Sequence, residues 1–196
     1  MNCKELRVGF AFCGSFCTMS KALDALEQTA ARFGPVTPIV SEMVASTDTR
    51  FGKAHDFMRE MERLCDRRVI DTVAGAEPIG PKGLLDVLVI CPCTGNTLAK
   101  LAHGVTDSSV TMAAKAHLRN GRPLVIAVST NDALAGSAPN LGALLSRRNV
   151  YFVPFGQDDC VGKPASLVAD FTLVPDTIGC ACRGEQLQPL LLGAGG

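Results

Sequence analysis

Residues 86–100 read Asp86-Val-Leu-Val-Ile-Cys-Pro-Cys-Thr-Gly-Asn-Thr-Leu-Ala-Lys100, and this stretch decides the fold. Val87 to Ile90 form an unbroken apolar run rich in β-branched side chains. That pattern predicts a strand buried on both faces, as in a parallel sheet covered by helices. Pro92 has no N–H to give a ladder and is expected to end it. Thr94, Gly95, Asn96 and Thr97 follow as a small polar turn, then Leu98 to His103 as a helical run. A strand, a tight turn and a helix N-terminus aim backbone N–H groups and hydroxyls past the strand's carboxyl end, where an anion is the favoured ligand. Thr94 and Asn96 are equally ordinary helix caps, so the turn alone leaves both readings open.

The same pattern recurs outward from this strand. Leu6 to Phe12 predicts a first strand, closed by Cys13-Gly14-Ser15-Phe16, and residues 19–32 a helix with Leu23, Leu26 and Ala30 at helical spacing. Gly34-Pro35 stops it. Val36 to Val40 predicts a second strand ending at Ser41-Glu42, and residues 46–52 a polar loop whose one cation is Arg50. Residues 54–65 predict a helix with Phe57, Met61 and Leu64 on one face, 69–73 a short strand, and 74–83 a loop. Residues 110–119 predict a helix, and Pro123 to Ser129 another buried strand delivering Ser129, Thr130, Asn131 and Asp132. Residues 141–146 read as a helix, 150–153 as a strand, and Lys163 to Leu167 as the start of a last short helix. From Asp176 the pattern dissolves. The expectation is one domain over 1–175 and a partly disordered tail over 176–196.

Alternating strands and helices of this kind predict a single doubly wound, mostly parallel sheet in a three-layer α/β/α sandwich, Rossmann-like, with ligands past the strands' carboxyl ends. Four such ends carry Gly14-Ser15, Ser41, Thr94 to Thr97, and Ser129-Thr130-Asn131. They offer many neutral donors and few charges, which suits a phosphorylated, otherwise neutral ligand. Gly9-x₄-Gly14-Ser15 lacks the lysine of a nucleotide P-loop, and no G-x-G-x-x-G fingerprint is present.

At 196 residues the chain suits one well-covered domain. A formal net charge of +0 argues against nucleic acid and anionic membrane as partners. No apolar run approaches the roughly 18–20 residues of a membrane span, and Lys4, Glu5 and Arg7 do not suit a signal peptide. A soluble, cytoplasmic protein is expected. The 9 cysteines are odd in number. Cys91-x-Cys93 and Cys180-x-Cys182 lack zinc-site spacing, so no metal is expected and the thiols read as small core residues. His55, His103 and His117 all fall in predicted helices and read as structural.

The block from Pro92 to Asp107, with Ala113-Ala114 and Gly121 to Ile126, resembles the flavoprotein superfamily of FMN-dependent cysteine decarboxylases and flavin prenyltransferases. The decarboxylases carry Pro-Ala-Ser-Ala-Asn-x-Thr where Pro92 to Thr97 stands. Within the superfamily, residues 46–52, Ser129 to Asp132, Tyr151 to Asp159, Lys163-Pro164 and Ser166 to Asp170 resemble the family of dipicolinate synthase B subunits. That resemblance implies FMN on Gly14, Ser15, Ser41, Thr94, Gly95, Asn96, Thr97 and Ser129, with NAD(P) on the partner, the dipicolinate synthase A subunit. It implies oxidation of a dihydrodipicolinate-type intermediate to pyridine-2,6-dicarboxylate in the mother cell of a sporulating bacterium, by a homo-oligomer. Two substrate carboxylates make Arg50, Asn131 and Lys163 the expected substrate-binding residues; no catalytic residue stands out. The chain departs from the decarboxylases in having no histidine in 74–85 and no counterpart of their cysteine-containing flap. It departs from the prenyltransferases in having Ser129 where they carry arginine. Two other readings stand beside this one: a non-catalytic assembly subunit, and an FMN-dependent decarboxylase or prenyltransferase of unknown substrate.

Overall fold

Val8–Phe12 form β1, buried along its whole length in the computed structural model, which describes residues 6–193. Residues 1–5, with Cys3, Lys4 and Glu5, and the glycine-rich end 194–196 lie outside the described residues. A short 3-10 turn, Phe16–Thr18, leads into α1 (Met19–Phe33), which buries Ala22, Ala25, Leu26, Thr29 and Phe33. Leu23 and Ala30, expected on that face with Leu26, are only partly buried against the core. Gly34 closes the helix at φ +94°, a conformation costly for any side chain. Then follow β2 (Thr37–Val40), α2 (Glu42–Ser46) and α3 (Ala54–Cys65).

The short strand expected over 69–73 is reduced to one parallel bridge, Ile39 to Ile70. Val73 already starts α4 (Val73–Ala76), because the Thr72 hydroxyl accepts the Gly75 N–H at 3.1 Å and caps a helical turn there. The loop expected over 74–83 is therefore partly helical, and a 3-10 turn, Glu77–Ile79, buries Ile79.

Every residue of β3 (Val87–Cys93) is buried. Pro92, expected to end this strand, lies inside it. Its pairing with the next strand shifts register between Ile90 and Cys93, and that irregularity accommodates a residue with no N–H. Next come α5 (Gly95–His103), α6 (Ser109–Leu118), β4 (Leu124–Thr130), α7 (Ala138–Leu145) and β5 (Val150–Phe152). Two short strands follow, β6 (Phe155–Gly156) and β7 (Leu167–Ala169), then α8 (Val174–Ala181). No helix begins at Lys163. The Ser166 hydroxyl donates to Asp158 at 2.6 Å and the Gly162 N–H to Asp159 at 2.7 Å, and this tied loop feeds directly into β7.

The pattern expected to dissolve at Asp176 instead continues as α8, which buries Thr177, Ile178, Gly179 and Ala181. The chain stays packed beyond it. Gln186 clamps Phe152, accepting its N–H at 2.8 Å and donating to its carbonyl at 2.7 Å. Phe155 N–H donates to Leu190 O at 3.0 Å and Leu192 N–H to Phe155 O at 2.9 Å. A boundary at 175 would cut this packing.

The strands run in the order β2-β1-β3-β4-β7-β6, with β5 pairing with β4. β1 to β5 are parallel, and β6 and β7 antiparallel. Helices α1 and α8 pack together on one face, and α4, α5, α6 and α7 on the other. This is the doubly wound, mostly parallel sandwich expected from the sequence. No helix among the described residues is long and apolar enough to cross a membrane.

Candidate functional site

The carboxyl ends of β1, β2 and β3 are stitched together by backbone hydrogen bonds. Cys13 N–H donates to Pro92 O at 3.3 Å, and Ser41 N–H to Phe12 O at 3.0 Å. Their turns therefore lie side by side and wall a cleft of about 380 Å³, within the range of small-molecule sites. Gly14, Ser41, Thr94, Asn96 and Thr97 line it, five of the residues expected to meet a cofactor.

Two helices open into this cleft. Thr94 caps α5, its hydroxyl accepting the Thr97 N–H at 3.3 Å. The N–H groups of Gly95 and Asn96 have no carbonyl within the helix to bind. Ser108, also on the wall, caps α6 in a reciprocal box with Thr111. Aligned peptide dipoles place positive potential at both termini. Glu42, the one carboxylate of the wall, is already engaged: its Oε1 accepts the Ser109 N–H at 3.1 Å. Lys100 adds a cation, held at 2.8 Å by Asp107. The contact pulls the Asp107 carboxyl below its ordinary range, chiefly through the hydrogen bond from Lys100. The field of the cleft favours an anion.

Three hydroxyls form a knot beside Gly14. Ser15 Oγ and Ser129 Oγ lie 2.9 Å apart, and Thr18 Oγ1 reaches Ser15 Oγ at 3.1 Å and Ser129 Oγ at 3.3 Å. Ser15 and Ser129, 114 residues apart in sequence, are thus brought into contact, but the knot lies next to the cleft and none of its three residues lines it.

Gly95 faces elsewhere. It sits against the end of β4, where a Cβ would fall 2.6 Å from Ser137 Oγ and 2.8 Å from Asp132 Oδ1. Thr130 and Ser137 donate to Asp132 Oδ1 and hold its carboxyl below the ordinary range. The cluster packs α5 onto β4 and leaves Gly95 off the cleft wall.

The expected substrate residues do not join the cleft. Arg50 stacks its guanidinium over Phe51 at 4.8 Å in the loop after α2. Asn131 is exposed at the end of β4, with no side-chain hydrogen bond among the described residues. Lys163 pairs with Asp158 at 3.3 Å between β6 and β7. In their place the wall carries Cys13, Glu42, Met43, Lys100 and Ser108. Lys100 follows Asn96 and Thr97 by four and three residues, a helical spacing that places all three on one face of α5. Cys13 is held as a thiol: burial raises it to about 11, only partly offset by the Thr97 hydroxyl, which donates to it at 3.2 Å.

A larger groove, about 480 Å³, runs between α1 and the β6–β7 pair and includes Lys21, Asp24, Asp158 and Asp170. None of the strand-end turns reaches it.

The same fold recurs among known proteins. The flavoprotein family model matches residues 4–139. The chain is 46% identical over 189 residues to the B subunit of dipicolinate synthase from Bacillus subtilis (strain 168), covering 96% of this chain and 94% of that one. The crystal structure of the dipicolinate synthase B subunit from Bacillus halodurans C superposes with a TM-score of 0.90 at 44% identity, covering 98% of this chain and 99% of that one. The FMN-dependent cysteine decarboxylase SpaF shares the fold, with a TM-score of 0.69 at 20% identity over 92% of this chain and 97% of that one. A doubly wound sheet with a polar cleft at its carboxyl edge, and likeness along nearly the whole chain, place it: the chain belongs to the flavoprotein family, beside the dipicolinate synthase B subunits.

Proposed function

We propose that this chain is the flavin-holding subunit of a dipicolinate synthase. With its nicotinamide-binding partner, the A subunit, it oxidises a dihydrodipicolinate-type heterocycle to pyridine-2,6-dicarboxylate, in the mother cell of a sporulating bacterium. The observation that carries this reading is the meeting of three strand-end turns and two helix N-termini in one cleft. It is supported by the 46% identity to a protein of that name over 96% of the chain.

The donor set fits FMN. The free N–H groups at the start of α5 suit a phosphate monoester, and the Ser15, Thr18 and Ser129 hydroxyls, bonded to one another beside Gly14, add donors next to that wall. Gly14 keeps one wall open, since a Cβ there would press to 3.3 Å from Met43 Cγ and 3.4 Å from the Phe16 ring. FMN when bound supplies a two-electron acceptor. Forming an aromatic ring makes the oxidation downhill, so the side chains chiefly orient the substrate and recognise its carboxylates. Lys100 offers a cation inside the cleft, and Arg50 one on an exposed loop beyond α2. Met43, 57% exposed, and Phe51, 46% exposed, leave apolar surface that suits contact between copies of the chain.

The first test is the absorbance of the natively purified protein. Flavin bands are expected, and Ser15→Asp is expected to abolish them by setting a carboxylate against the phosphate. Unchanged flavin content in that variant refutes the phosphate placement. A colourless parent protein that still stabilises its partner would make it a non-catalytic assembly subunit. Mixing with the A subunit, substrate and nicotinamide should then yield the ultraviolet absorbance of the pyridine dicarboxylate.

A further inference from the structure

On the far side of α5 lies a second groove, of about 370 Å³, between the C-terminal ends of α5 and α6 and the turn after α7. Lys100, Lys115, Arg119, Arg147 and Arg148 line it, and Leu101, Val105 and Leu118 give it apolar surface. No aspartate or glutamate lines the groove. Lys100 is paired with Asp107, and Arg147 donates one N–H to Leu101 O at 3.1 Å. Lys115, Arg119 and Arg148 make no ion pair among the described residues. Glu77 approaches Lys115 and Arg119 only from a smaller neighbouring groove, without pairing with either.

The plain account of such cations is that they neutralise helix ends. Three helix C-termini carry about −0.5 each, or roughly −1.5 in all. Arg147 and the three unpaired cations bring four positive charges against this. A surplus of more than two charges is left over, concentrated in a concavity on a chain of zero net charge. A concave wall lined by several cations favours a compact ligand over a flat protein face.

We infer that this groove is a second ligand site, for a small polyanion carrying two or more phosphate or carboxylate groups close together. The inference is independent of the flavin reading. Its one physical link to the cleft is Lys100, which lines both cavities.

The test is calorimetric titration of the full-length protein, at low salt, with inorganic pyrophosphate and separately with citrate. Saturable binding of at least one is expected, weakening as salt rises; the tighter of the two identifies phosphate or carboxylate as the recognised group. The double variant Arg119→Ala/Arg148→Ala removes two exposed side chains that neither the cleft nor the core uses. It should weaken binding about tenfold or more, as expected for lost charge-assisted hydrogen bonds, while flavin content stays as in the parent. Failure of both probes to bind overturns the inference. So does an unchanged affinity in the double variant, and a variant that only melts earlier while binding normally would assign these cations to helix ends alone.

Discussion

Replacing Gly95 with alanine tests how closely α5 is docked on the end of β4. The added Cβ falls 2.6 Å from Ser137 Oγ and 2.8 Å from both Asp132 Oδ1 and Thr130 Oγ1. Those atoms have little freedom to give way, because Thr130 and Ser137 donate to the same Asp132 oxygen at 2.6 and 2.9 Å. Making room breaks a hydrogen bond to a carboxylate, worth about 1.5–3 kcal/mol, or strains the packing by about 1–3 kcal/mol. Alanine's better helix propensity returns at most about 1 kcal/mol, and less at the first helical position. The expected net loss is about 1–2 kcal/mol, a Tm lower by about 2–8 °C for a chain of this size. Urea and thermal unfolding of Gly95→Ala, Asp132→Ala and the double variant measure it. With Asp132 truncated the new methyl has space, so the penalty of Gly95→Ala should shrink by about half or more in that background. A Gly95→Ala protein as stable as the parent, or an equal penalty with and without Asp132, would refute the argument from close approach.

Two further predictions concern a buried histidine and an exposed arginine. His117 is buried on α6, its Nε2–H donating to Pro123 O at 2.9 Å, and burial lowers its pKa from 6.5 to about 4. Unfolded chains take up this proton near 6.5 and the folded protein only near 4. Stability present above the unfolded value therefore falls as the pH drops towards the folded one, by about 3 kcal/mol at most. A Tm–pH profile should be flatter across that window in His117→Gln, and an identical slope would count against this assignment. Arg50→Ala removes a cation that lies off the cleft wall and stacks on Phe51, so the apparent KM for the heterocyclic substrate and the Tm should stay little changed; a clearly raised KM would bring Arg50 into substrate binding.

The fold is legible where burial is two-sided or strictly periodic. β1, β3 and β4 announce themselves as unbroken apolar runs, and α1 and α3 by helical spacing. What escapes is structure with weak local signals. Helix α8 buries Val174, Ile178 and Ala181 at helical spacing, but Pro175 at its start and Gly179 within it, both poor helix formers, mask so short a pattern, and β6 and β7 have two and three residues. At the site, Gly14, Ser41, Thr94, Asn96 and Thr97 are readable because strand-end turns in such sheets face one edge. Arg50 and Lys163 follow from chemical type alone, and type says nothing about reach; Asn131 follows from resemblance to the decarboxylases' carboxylate-binding asparagine. Lys163 shows the cost, since Asp158 satisfies its charge away from the cleft. Lys100 is recoverable only by counting along α5 from Thr97.

The C-terminal return past Phe155 also guards the sheet against itself. β6 is the last strand on its side, and an uncovered rim of N–H and C=O groups recruits strands from other molecules. Leu190 and Leu192 occupy the Phe155 backbone groups on that rim. Shortening the chain after Ala181 would leave them vacant beside the apolar ring of Phe155. Loss of this short segment would then show as self-association and insolubility before any loss of chemistry.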